Sequence, residues 1–443
     1  MTPMTTVNGT LLLYHHYIRN EAPTIMEHVN AFLRLSRFKT WGINVELGLP
    51  PGIRELRFRA IVMHYSMFGD YPFRLGREFL HYVEQCRESY KIVFFQDEYQ
   101  FCPQRFDVLN RLNVDCVFTL LEPDDWNTVY RKRTSVKRFH HTLTGYVDDG
   151  LVELAKRLGK PDDQREIDVG YRARRLPFRM GRGGQEKAAI ATEFERCASE
   201  SGLVLDVKPG AHRRLNGLDW YRFVANCKGF LGVEAGVSVF DLDDSVRLAC
   251  EETLRTNLAV TFEEVEEKIL APLEENVFYR TISPRHFEAA AFRVCQILFE
   301  GRYTGILQPM VHYIPLKKDF SNFDEVIRLF KDNSVRRTLT ENAYRDLIAS
   351  GKFSYREFIR GYDEELSLSG IQETIDEQTT QRVAAALQKG RLVREMRAFM
   401  LTLIFLRFPG RDRMIQFYKK SIKPFVWKLR GKTLPVQSNQ QPS

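Results

Sequence analysis

Residues 282–303, ISPRHFEAAAFRVCQILFEGRY, read as a helix followed by a short strand. Ser283 suits a helix N-cap and Pro284 the first helical position. The alanines at 289–291 allow close packing on a sheet, and 296–299 is an apolar strand. A helix that begins this way presents free backbone N–H groups and a partial positive charge, which suits a diphosphate. Arg285 and His286 place further donors beside it. Glu288 stands one turn in, within reach of ribose hydroxyls of a nucleotide held at the cap. The same residues equally suit a capped core helix with no ligand.

On both sides of this unit, short apolar runs alternate with helical patterns. In the first part the runs are 11–14, 60–63, 92–95 and 116–121, with helices expected over about 22–36 and 74–89. The polar stretch 160–166, KPDDQRE, reads as a linker. Strands follow at 167–171, 204–207, 229–233 and 296–299, with helices over about 185–199, 220–226 and 323–331. Residues 245–280 look helical, acidic and inserted. Continuous apolar runs separated by helices indicate parallel sheets covered on both faces. The expected fold class is therefore α/β, with two facing Rossmann-like units over 9–160 and 165–340. A helical segment over 341–380 and a basic amphipathic tail over 381–443 complete the chain.

Polar residues end the strands of the first part: His15 and His16, His64, Asp97 with Glu98, and Glu122. Ligands bind outside the carboxyl ends of strands in such sheets. His, Asp and Glu are the usual side chains that take a proton in catalysis. His16 and Asp97 are the candidate catalytic residues. The loop 172–187, RARRLPFRMGRGGQEK, carries Arg172, Arg174, Arg175, Arg179, Arg182 and Lys187, with glycines at 181, 183 and 184 that would let backbone approach a ligand. Its spacing matches neither a dinucleotide fingerprint nor a Walker loop.

The chain has 443 residues, 44% hydrophobic and 28% charged. These values exclude wholesale disorder and a disulfide-stapled scaffold. The net charge of +8 is uneven. Residues 381–432 carry +12, leaving −4 for the rest, which excludes a nucleic-acid reading based on overall charge. Seven cysteines without C-x-x-C fit reduced thiols in a cytoplasmic protein. No secretory signal is legible at the start, and no run of ~18 apolar residues suggests a membrane span. Asp241 and Asp243 form D-x-D, a pattern for Mn²⁺ or Mg²⁺. The flanking residues suit a turn instead, and no metal site is expected.

The helix–strand unit, the basic loop, 230–241 (FLGVEAGVSVFD) and 300–326 (EGRYTGILQPMVHYIPLKKDFSNFDEV) together resemble the donor-binding half of GT-B glycosyltransferases. More narrowly, they resemble bacterial proteins labelled "glycosyltransferase family 1". The resemblance covers about 165–335, is only architectural over 9–160, and covers nothing of the tail. It implies sugar transfer from a nucleotide diphosphate sugar to an acceptor hydroxyl, in surface polysaccharide or glycolipid synthesis, with no cofactor. It gives Glu288 the ribose, Arg182 and Lys187 the diphosphate, and Glu234 a further donor contact, beside Ser283 and Arg285 at the helix cap. Arg280 stands where many retaining members have a glutamate eight positions before the second, so the stereochemistry stays open. Alternatives are a nucleotide-sugar epimerase or hydrolase, or a non-catalytic membrane-associated binding protein. The expected partners are the donor, a saccharide or lipid-linked acceptor, and an anionic membrane surface met by 381–432, with no nucleic acid. Phe399, Phe405, Phe408, Phe425 and Trp427 are the expected headgroup contacts, and the inner face of the plasma membrane is the expected location.

Overall fold

A computed structural model describes residues 4–16, 23–210, 215 and 217–405. The first unit runs β1 (Thr5–Tyr14), α1 (Pro23–Leu35), β2 (Thr40–Asn44), β3 (Leu56–Met63), α2 (Arg77–Gln85), β4 (Tyr90–Phe94), α3 (Cys102–Arg111), β5 (Cys116–Thr119) and β6 (Arg138–His141). Its six strands pair in parallel in the order β2-β1-β3-β4-β5-β6. The four apolar runs are its central strands. Leu11, Leu12 and Leu13 are all fully buried because side chains on both faces meet a core. The edge strand β2, TWGIN, has no such run, since it pairs on one side only and its residues are half-buried by turns.

The chain crosses over through α4 (Asp149–Leu158), whose Ala155 already lies in the second core. The second unit continues with β7 (Ile167–Ala173), α5 (Gly181–Cys197), β8 (Leu205–Pro209), α6 (Leu218–Ala225), β9 (Cys227–Gly232) and β10 (Ala235–Val237). Next come α7 (Ser245–Thr256), α8 (Phe262–Val265), β11 (Tyr279–Thr281), α9 (Pro284–Ala291), β12 (Cys295–Phe299), β13 (Tyr313–Leu316), α10 (Phe323–Lys331) and α11 (Asn333–Ala343). Five strands pair in parallel in the order β13-β12-β9-β7-β8, and β10 pairs antiparallel with β11. The fold is thus α/β with two Rossmann-like parallel-sheet units, followed by helices α12 (Tyr355–Ser367), α13 (Glu377–Gln388) and α14 (Arg391–Phe405).

Three readings of chain organisation change. Residues 160–166 are not a spacer between the units: they fold against the base of the second sheet, with Arg165 buried. The inserted region 245–280 is not confined to the second unit: its Val277 and Tyr279 enter the core of the first, as do Met180, Val237 and Phe240 from outside it, and Gln104 Nε2 donates to Asp244 Oδ2 at 2.8 Å across the junction. The helices after 341 return to the first unit. On α12, Phe358 and Tyr362 pack on Phe32 with ring centroids 5.6 and 4.8 Å apart, and Glu365, wholly buried, takes Arg138 Nη2 at 2.8 Å and faces His140 Nε2 at 2.7 Å. On α13, Val383 and Ala386 are core residues of the first unit, so position 381 falls within a packed helix.

Candidate functional site

A cleft of about 260 Å³ lies where the carboxyl ends of the second sheet face the first unit. The first unit contributes Asp97, just past β4. The second contributes Arg174 after β7, Lys187 on α5, residues 230–233 at the end of β9, and Ser283, Arg285 and His286 at the start of α9. Ser283 adopts extended backbone and its side chain accepts the Arg285 N–H at 3.4 Å, which fixes where α9 starts. Thr144 Oγ1 of the first unit donates to the Ile282 carbonyl at 2.7 Å, so this helix start is anchored across the junction.

The electrostatics of the cleft are set by crowding. Burial lowers the Lys187 ammonium to about 8, and Arg285, Arg174 and Arg280 repel it further, while Asp97 acts in the opposite direction. Asp97 adopts left-handed backbone, φ 56°, which turns it out of the strand to the solvent-accessible cleft. The protein packed around it raises its carboxyl above the ordinary range, against the pull of Lys187, Arg105 and Arg174. Burial also lowers His286 to about 4, so its ring is neutral and faces Gln296 at 2.8 Å. Glu288 accepts a hydrogen bond from Trp220 Nε1 at 2.8 Å, and burial raises its carboxyl. Glu27, on α1 of the first unit, is pushed up to about 7 by burial and by the charges of Asp148 and Glu288, so acidic groups gather beside α9 from both units.

The sequence-derived candidates divide. Asp97, Lys187, Ser283 and Arg285 line the cleft, and Glu288 lies one turn behind the cap with Trp220. The others are engaged elsewhere. Arg182 is on the far side of α5, where its backbone N–H donates to Glu274 at 2.8 Å and its guanidinium pairs with Glu266. Glu234 is buried, accepts the Tyr303 N–H at 2.7 Å and sits 3.8 Å from Arg280. His16 ends β1, two strands from β4, with its main chain bonded to Asn44; burial and then His15 lower its ring. His15 faces Glu46 at 3.2 Å, and His64 is buried between His28 and Ser66. Glu98 is buried among Thr119, Leu120, Tyr130 and Tyr279. Two glycines of the basic loop serve packing: a Cβ on Gly183 would fall 1.7 Å from Arg280, and Gly181 adopts φ 70° against Ser238. Arg174, one of many cations in that loop, is the one placed beside Lys187. Trp220 was legible only as the start of a helix, because its role depends on Glu288 and on Arg285 lying 4.9 Å over its ring.

The D-x-D carboxylates are occupied by backbone. Asp241 accepts the Arg247 N–H at 2.8 Å and Asp243 the Ser245 N–H at 3.0 Å, so both organise the start of α7.

No protein-family model and no curated protein sequence matches the chain. Solved structures are similar to it in fold. An alpha-glucosyltransferase in complex with UDP and a 13-mer DNA is 10% identical, with a TM-score of 0.50, over 83% of this chain and 100% of that one. Anabaena Alr3699/HepE in complex with UDP is 11% identical, with a TM-score of 0.42, over 81% of this chain and 99% of that one.

Proposed function

We propose that this chain is a glycosyltransferase that moves a sugar from a nucleotide diphosphate sugar to an acceptor hydroxyl. The observation that carries the reading is convergence. Lys187, Arg174 and the capped start of α9 meet in one cleft at strand carboxyl ends, opposite a single carboxylate from the other unit. A departing diphosphate develops negative charge, and fixed cations with helix-terminal N–H groups stabilise it where it forms. Glu288, held by Trp220 one turn behind the cap, is the proposed ribose ligand. Asp97 is the proposed base: its raised carboxyl titrates nearer neutrality than an ordinary aspartate, which suits proton transfer from an acceptor. The cations do the work that a divalent ion does in metal-dependent transferases, so no metal is required.

The fold shared with the alpha-glucosyltransferase makes UDP and UDP-sugars the first donors to try. That enzyme's complex holds DNA, but here the chain outside 381–432 carries −4, a poor match to a polyanion. The acceptor is instead a saccharide or a lipid-linked saccharide, in surface polysaccharide or glycolipid assembly. The membrane reading draws on α14, where Leu392, Met396 and Phe399, 82, 48 and 61% exposed, follow helical spacing among Arg391, Arg394 and Arg397. No helix of the described residues is long and apolar enough to cross a membrane, and the attachment proposed is a peripheral one. The side chain of Phe405, and Phe408, Phe425 and Trp427, lie outside the described residues.

A nucleotide-sugar panel read by thermal shift, followed by product analysis with glycan and lipid-linked acceptors, tests the proposal. Stabilisation by a donor and acceptor-dependent transfer in EDTA are expected. Acceptor-independent turnover would mean an epimerase or hydrolase. Activity lost in EDTA and restored by Mn²⁺ would return the D-x-D pair to consideration.

A further inference from the structure

A second recess lies at the opposite end of the same sheet. The strands of this sheet are parallel, so their amino ends share one edge: Arg165 precedes β7, Lys228 is on β9, and Cys295 opens β12. Together with Lys160, Arg336 and Arg337 they line a cavity of about 530 Å³, a size suited to small-molecule ligands. The cleft lies past the other ends of the same strands, at 173–174 and 230–233. The two sites are therefore separated by the length of the sheet.

The charge around this cavity does not balance. Three cations have carboxylate partners: Lys228 with Asp168 at 2.8 Å, Arg293 with Glu341 at 2.9 Å, and Arg336 with Asp162 at 2.5 Å. Among the described residues Lys160 bonds through its ammonium to the neutral Asn226 alone, at 2.7 Å. Arg165, 6% exposed, donates to the carbonyls of Lys160, Cys227, Phe292 and Arg293 and to no carboxylate. Arg337 is exposed at the rim, and Asp163 is the one further carboxylate in the lining. Arg336, 8% exposed, keeps its Nε–H without a hydrogen-bond partner among the described residues. A buried guanidinium N–H left unpaired is costly, and two buried guanidiniums side by side repel. Arg336 stands in the first turn of α11, whose dipole adds positive potential, although Asp332 already caps the Ser334 and Val335 N–H groups.

We infer that this cavity is a second anion site, which takes a small phosphorylated ligand on Lys160, Arg337 and Arg336, with the carbonyl-bound Arg165 adding positive charge behind them. Phosphate oxygens match the fork of a guanidinium. The recess holds its two buried guanidiniums away from the surface, which favours a small molecule over a nucleic-acid strand. The inference does not depend on the proposed transfer reaction, because none of these residues lines the cleft.

Inorganic pyrophosphate is the first probe, titrated calorimetrically into the full chain at low salt. Four proteins are compared: the parent, a cavity variant Lys160→Glu/Arg337→Glu, a cleft variant Lys187→Ala/Arg285→Ala, and their combination. The cleft variant is expected to keep one pyrophosphate event, and adding the cavity substitutions should weaken that event at least tenfold. Both cavity substitutions are at solvent-reached positions, and unchanged melting temperatures check that the fold is intact. If the double variant fails to fold, Arg337→Gln alone should still weaken binding several-fold. ATP binding more than tenfold tighter than pyrophosphate would identify a nucleotide ligand, and equal binding a phosphate-only one. No pyrophosphate binding in the cleft variant, or binding untouched by the cavity substitutions, would overturn the site. Absence of UDP-sugar binding in the parent, with this event present, would count against the transferase reading alone.

Discussion

The two units end their strands in different ways. In the first, polar residues at strand ends are mostly turned inward and used: His64 is held between His28 and Ser66, His15 faces Glu46, and Glu98 is enclosed by Thr119, Tyr130 and Tyr279. Asp97 alone of these lines the cleft. In the second unit, Arg174, Lys187 and Arg285 all face it. Asp97 and Glu98 make the contrast at one residue's spacing. The left-handed backbone at Asp97 sends its carboxylate to the cleft while its neighbour latches the units together. A polar strand end therefore signals a site only where its hydrogen bonds are not already taken.

The sharpest way to break this contrast is at Asp97. Asp97→Asn should lower kcat by roughly 10²–10⁴-fold, the usual range for a lost general base, with donor affinity changed little. His16→Ala should change kcat by far less, and the reverse order would transfer the base to the end of β1. Lys187→Ala and Glu288→Ala come next. Each should weaken UDP-sugar binding by roughly 1–3 kcal/mol, the range for charge-assisted hydrogen bonds, as read by calorimetry. Arg182→Ala should leave affinity unchanged, since that side chain pairs with Glu266 outside the cleft.

A smaller effect concerns pH. Burial lowers the folded-state value of Lys187 to about 8, so its charge is fully present below about 7 and lost through 8 to 9. A bound diphosphate favours the charged form, so UDP affinity should fall as pH rises from 7 to 9. Lys187→Arg, which stays charged, should flatten that profile. A slope that survives the substitution would assign it to another group.

The smallest and most salt-sensitive effect is expected at α14. Truncation at 380 would remove the core residues Val383 and Ala386, so the cleaner test is Leu392→Ser/Phe399→Ser beside truncation after 405. Both should reduce co-sedimentation with anionic liposomes, more at low salt than high. Equal binding to neutral vesicles would remove the membrane from the proposal.

The four leucine- and valine-rich runs of the first unit and the cap at Ser283 were legible from sequence alone. Burial on both faces enforces continuous apolarity, and N-cap chemistry is local. The edge strand β2 was not legible, because pairing on one side leaves a short, half-buried pattern without an apolar run. The sequence also determined that cations crowd the loop 172–187. Only the tertiary structure decided which of them face the cleft. Arg172 is bound to Asp206, Arg179 to Gln100 and Arg182 to Glu266, whereas Arg174 and Lys187 line the cleft. The return of α12 and α13 to the first unit was likewise beyond local reading, since Tyr362 and Ala386 meet partners more than 300 positions earlier. Helical periodicity says that a face is apolar. The long-range packing of that face, which chain closure sets, says what it covers.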